Sequence, residues 1–90
     1  MNRAAHGLTA VKGLLVGHHT DASARTGVTA ILAPAGATGA AFVPGGASGT
    51  RELETLAPRH VAPHVHGICL AGGSAFGLAA ADGVVQVLAE

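Results

Sequence analysis

Ninety residues suffice for one small domain, which buries about 60–65% of its unfolded surface and should be polar over much of its exterior. This chain has 49% apolar and only 11% charged residues, where an average soluble domain has roughly 25% charged. Zero formal net charge, Lys12 as the sole lysine and no Lys/Arg run remove any electrostatic basis for binding nucleic acid or an acidic membrane.

The apolar surplus is Ala, Val and Leu spread along the chain, with 2% aromatic residues and no Trp or Tyr for a dense small core. That pattern suits elements covered on both faces, by more chain or by partner subunits. The expectation is a segment of a larger soluble α/β (α+β) domain. Cys69 alone cannot build a disulfide framework and is compatible with a reducing compartment. Lys12 interrupts the N-terminal stretch Met1–Gly17, so no signal peptide is expected. No run approaches the ~20 apolar residues of a membrane span, and a cytoplasmic location follows as an expectation.

In chain order, a short strand is predicted over Gly13–Gly17, closed by the polar cluster His18-His19-Thr20-Asp21. Two apolar runs follow, Gly27–Leu32 and Thr38–Val43, joined by Ala33-Pro34-Ala35-Gly36-Ala37. Pro presets φ and Gly takes the left-handed position, which is hairpin chemistry. Val28, Ala30 and Leu32 share one face, while apolar Ile31 on the other suggests a sheet covered on both sides. A glycine-rich bend, Gly45 to Glu52, precedes a loop or short helix over Leu53–Pro63 that Pro58 punctuates.

The strongest unit is last. Val65–Leu70 reads as an apolar strand, Gly72-Gly73 as a tight turn, and Ser74 as a helix N-cap. From Ala75 the period becomes helical, with Leu78, Ala81, Val85 and Leu88 on one stripe and Asp82 and Gln86 opposite. Gly77 and Gly83 each cost an isolated helix about 1 kcal/mol relative to Ala, which close packing on a sheet would offset. The chain ends at Glu90 in the last helical turn, without a capping Gly.

Gly72-Gly73-Ser74 stands where a strand delivers its end to a helix N-terminus, whose free N–H groups suit an anion or a developing oxyanion. The plainer reading is a tight turn that needs glycine for backbone geometry alone. A phosphate-binding P-loop fails, because Leu78 and Ala79 occupy the positions of its Lys and Ser/Thr. Ser74 also stands near the centre of a G-x-S-x-G nucleophile elbow, but Phe76 replaces the final glycine. The pairs His18-His19 and His64-x-His66 are too few ligands for a metal site, so no metal and no cofactor are expected. Cys69 reads as a core residue. Arg51 and Glu52 read as a local ion pair or solvated side chains, with a loop anchor favoured over a substrate clamp.

Three stretches are less generic. Gly13-Leu14-Leu15-Val16-Gly17-His18-His19-Thr20-Asp21 with Thr26-Gly27-Val28-Thr29 comes first. Gly45-Gly46-Ala47-Ser48-Gly49-Thr50-Arg51-Glu52 follows. Last is His66 to Val84, with Leu70-Ala71-Gly72-Gly73-Ser74-Ala75-Phe76-Gly77-Leu78 and Ala80-Ala81-Asp82-Gly83. In order and spacing they closely resemble the opening of the L-aminopeptidase/D-esterase family, the DmpA-type peptidases, whose relatives include β-peptidyl aminopeptidases and nylon-oligomer hydrolases. Ala79, where relatives often carry an acid, and Pro44, where an Arg often precedes the paired glycines, depart from the pattern.

The resemblance implies part of an αββα sandwich, here a sheet with a β-hairpin and one long C-terminal helix. It implies a precursor that cuts its own backbone and frees a Ser or Thr, which attacks amides or esters bearing a free amino terminus. An α-amino group titrates near 7.7–8.0, so the freed terminus can act as its own base at neutral pH. By the same comparison the nucleophile and cleavage junction lie beyond Glu90, no catalytic residue falls within residues 1–90, and the chain is inactive alone. Gly72, Gly73 and Ser74 are the substrate-pocket candidates. The implied partners are the rest of the same hydrolase domain and further copies in a homo-oligomer of processed heterodimers. Two alternatives stand beside this: an assembly module complementing a separately encoded nucleophile chain, and a serine hydrolase with Ser74 as nucleophile.

Overall fold

A computed structural model describes residues 7–46, 49–56 and 64–90. Three antiparallel strands form one sheet in the order β1-β2-β3: β1 is Leu15–Asp21, β2 is Thr26–Thr38 and β3 is His64–Ala71. Short 3₁₀ turns cover Leu8–Ala10 and Leu53–Leu56, and a longer one, Ser74–Ala80, leads into α1 at Ala81–Ala89. The class is α+β, a three-stranded antiparallel sheet with one C-terminal helix.

The hairpin joins β1 to β2 rather than two halves of the following segment. Asp21 pairs with Thr26, and Ala22–Arg25 make the connection. The Asp21 carboxylate accepts a hydrogen bond from the Ala24 N–H at 3.0 Å, and Arg25 takes a left-handed φ of 56° to bring the chain back. An Asp whose side chain satisfies a backbone donor two or three residues on is a turn former in its own right. β1 therefore runs through the His18–Asp21 cluster that was expected to close it. As an edge strand it can carry polar side chains on both faces, and His18 uses its own: Nδ1 lies 2.7 Å from Oγ1 of its cross-strand partner Thr29.

The predicted hairpin over Gly27–Leu32 and Thr38–Val43 does not form. β2 continues straight through Pro34 and Gly36, and residues 39–44 have no regular structure. Against β3 the register runs from Val28↔Ala71 to Leu32↔Gly67 and resumes at Ala37↔Val65, with a bulge between. Pro34 donates no hydrogen bond and Gly36 has φ +89°, so the chemistry read as a turn is spent on the bulge. Pro34 is tolerated in the central strand because β1 pairs only as far as Leu32. Pro58, in the loop expected over Leu53–Pro63, lies outside the described residues.

One face of the sheet carries the helix. Along β3, Val65, Gly67 and Cys69 are half-buried, while His64, His66, Ile68 and Leu70 are exposed. A Cβ on Gly67 would lie 2.9 Å from Leu88 Cδ1, 3.0 Å from Val84 Cγ1 and 3.4 Å from Leu32 Cδ2, so α1 crosses β3 over this glycine. The helix stripe is shifted from the expected one. Leu78, Ala81 and Val84 are half-buried and Leu88 reaches Gly67, whereas Val85 is 55% exposed. Residues 74–80 wind as a 3₁₀ helix, which aligns Leu78 with Ala81 at a three-residue repeat, and within α1 the side chains over β3 are Val84 and Leu88. The opposite face, with Ile68 and Leu70, is open, and no described residue is fully buried.

Candidate functional site

β3 ends in a turn built by three glycines, each required for a different reason. The Gly72 N–H donates to the Gly27 carbonyl at 3.0 Å, a last rung beyond the strand. A Cβ on Gly72 would collide with the Thr26 hydroxyl, so Thr26 packs directly on bare backbone. Gly73 is left-handed at φ 94°, ψ 14°, and its carbonyl accepts from the Gly77 N–H at 3.2 Å. Gly77 faces the Gly72 carbonyl so closely that any Cβ would overlap it. The glycine spacing 72–77 thus has a complete backbone explanation that needs no ligand.

Ser74 is not the N-cap that its position suggested. Gly73 occupies the cap position, no side chain caps the helix, and Ser74 is the first 3₁₀ residue. Its φ of 57° is a left-handed value that costs an L-residue roughly 1–2 kcal/mol. Gly72, Gly73 and Ser74 are all exposed, and they are brought together as one bend at the end of β3. Among the described residues no histidine or carboxylate hydrogen-bonds to Ser74.

The other candidates are dispersed. His64 and His66 share the exposed face of β3 as expected, with His66 beside the bulge: Nε2 would lie 3.2 Å from a Cβ on Gly36. His18 belongs to Thr29 on the far side of β2. Among the described residues no group of three or more His, Cys, Asp or Glu could hold a metal ion. Cys69 is a half-buried free thiol opposite Ala30.

One contact had no signal in the sequence. Arg51 Nη1 lies 2.6 Å from Asp82 Oδ1 and donates to the Leu78 carbonyl at 3.4 Å. Arg51 comes from the glycine-rich bend, of which Ala47 and Ser48 lie outside the described residues. A separation of some thirty residues leaves no periodicity for sequence reasoning to detect.

Residues 6–90 match the family described as Peptidase family S58. The chain belongs to peptidase family S58. It is 47% identical over 91 residues to an uncharacterized aminopeptidase of Mycobacterium tuberculosis, covering 92% of this chain and 26% of that protein. An uncharacterized aminopeptidase of Mycobacterium bovis gives the same figures. One of Mycobacterium leprae is 45% identical, over 92% of this chain and 25% of its own length. The chain spans about a quarter of the length of the curated relatives it matches. No solved structure matches it. No helix among the described residues is long and apolar enough to cross a membrane.

Within this S58 segment the three family-like stretches are physically joined. The first makes β1 and the start of β2, and the third makes β3, the glycine turn and the helix. β2 pairs with both outer strands, and Arg51 of the second stretch reaches the helix of the third.

Proposed function

We propose that this chain is the N-terminal segment of a self-processing aminopeptidase or amidohydrolase of family S58, inactive by itself and acting, once complete, on amides or esters with a free amino terminus. The observation that carries the reading is the S58 match over residues 6–90, together with relatives named as aminopeptidases that are about four times as long. In this reading the nucleophile is a Ser or Thr from the chain beyond these ninety residues, and its own α-amino group takes the proton. The open sheet face receives the second sheet of an αββα sandwich. The processed heterodimers assemble further into a homo-oligomer in the cytoplasm.

The Gly72-Gly73-Ser74 bend then contributes backbone rather than a nucleophile. Its side chains are two hydrogens and one small hydroxymethyl, so a substrate carbonyl or carboxylate can approach the main chain closely. The left-handed φ of Ser74 favours a second reading, the serine elbow, in which that hydroxyl attacks. It lacks a base: among the described residues no imidazole or carboxylate bonds to Ser74.

Assaying the purified chain on aminoacyl-p-nitroanilides separates the two. The leading reading expects no turnover above background. Turnover that disappears in Ser74→Ala would overturn it and establish the elbow. The alternative of a complementing module expects activity only when a separately produced nucleophile chain is added.

A further inference from the structure

We propose that Arg51 is a positioning residue, which fixes the 49–52 segment onto the helical unit carrying the Gly72-Gly73-Ser74 turn and thereby sets where that turn stands. The inference rests on the reading that this turn faces substrate. Arg51 spans a junction in the backbone. Its contacts are Leu78 in the 3₁₀ segment and Asp82 in α1, on either side of the change at Ala80–Ala81. α1 is already seated on the sheet through Val84 and Leu88 at Gly67. The front end of the 3₁₀ segment is seated through backbone alone, Gly77 against the Gly72 carbonyl, while the side chains of Ser74, Ala75 and Phe76 are exposed. A guanidinium holding both sides of the junction limits the tilt of the 3₁₀ segment against α1.

Leu78 is four residues from Ser74, about 8 Å at the 3₁₀ rise of ~2 Å per residue, so a small tilt at the junction displaces the turn. On the other side of the contact, Glu52 follows Arg51 with φ 64°, a left-handed value that persists only where the surroundings hold it. The Arg51 and Asp82 side chains are 41% and 72% exposed, so water and salt weaken the pair. Such a pair contributes little to folding, and its loss leaves the sheet and α1 in place.

The test uses the complete S58 protein containing this chain, with Arg51→Gln, Asp82→Asn, the double variant, and Arg51→Lys to keep the charge. Two quantities are read: the rate at which elastase nicks the 45–52 segment, and KM against kcat on aminoacyl-p-nitroanilides at low and high salt. Each single neutral variant should be nicked faster and show a KM about two- to fivefold higher, with kcat nearly unchanged. The double variant should be no worse than either single, and the gap from wild type should narrow as salt rises. Arg51→Lys should fall between. Unchanged nicking, or faster nicking with KM unmoved, overturns the positioning role. Additive singles also overturn it. If every variant unfolds, the pair is a folding element and the inference is wrong. An inactive wild type would instead refute the aminopeptidase reading, while the nicking rates still decide whether Arg51 holds the segment.

Discussion

Replacing Gly73 by Ala separates backbone geometry from contact, because the two costs can be read independently at this position. A Cβ there would meet Gly77 Cα and N at 3.5 Å, ordinary van der Waals contact, so no atom must move. The cost is torsional: φ is 94°, and an L-residue in the left-handed region loses roughly 1–2 kcal/mol. The alanine also stiffens the unfolded chain, which returns about 0.5–1 kcal/mol. A net loss of about 1 kcal/mol should lower the urea midpoint measurably without abolishing folding. In the complete protein, on the proposed reading of a self-processing aminopeptidase, kcat/KM should fall while self-cleavage persists. The matched control is Gly77→Ala, whose Cβ would overlap the Gly72 carbonyl and should destabilise far more. Equal melting of Gly73→Ala and wild type would refute the torsional argument. Unchanged kcat/KM in a folded Gly73→Ala variant would remove the turn from the substrate pocket.

Other positions give sharper signs. Gly83 lies within α1 with open space around it, so Gly83→Ala should stabilise by about 0.5–1 kcal/mol, read as a raised urea midpoint. Gly67→Ala should do the opposite, by about 1–3 kcal/mol, because its Cβ would push on Leu88 and Val84. Faster amide exchange in α1 would localise that damage. With one sheet face and two edges open, the ninety-residue chain alone should bind the dye ANS and associate; a sharp melt of a dye-silent monomer would contradict this.

What could be read from the sequence was local. The β3–turn–helix unit was legible because the short apolar run Val65–Leu70, closed by glycines at 72 and 73, suits a strand that ends in a tight turn. The bulge at Pro34–Gly36 was not, since a missing donor and a positive φ serve a turn and a bulge equally. Only the pairing of β2 with β3 decides between them. The polar run His18–Asp21 looked like a strand end because an edge strand needs no apolar face. A stripe through Val85 requires a 3.6 period from Ala75 onward, whereas residues 74–80 wind more tightly as a 3₁₀ helix and shift the phase of α1. At the site, the three candidate residues are adjacent in sequence and were found together. Thr26 and Arg51 reach the turn and the helix through tertiary contacts that no spacing encodes.

The irregularity in β2 also governs which insertions the fold can absorb. Leu32 and Ala37 are an odd number of residues apart, yet they pair with Gly67 and Val65, which share a face of β3. The segment between them therefore inverts strand parity, so that even positions turn toward the helix before it and odd positions after it. Removing one residue from 33–36 would leave Leu32 and Ala37 four apart, an even spacing that keeps both on the helix side by the pleat alone. Removing three would match the two-residue spacing of Gly67 and Val65 and restore a regular ladder, whereas removing two would leave an odd spacing that still needs a bulge. Shortening of this segment by one or three residues should thus be absorbed more readily than by two, a rule set by counting rather than by the chemistry of any one side chain.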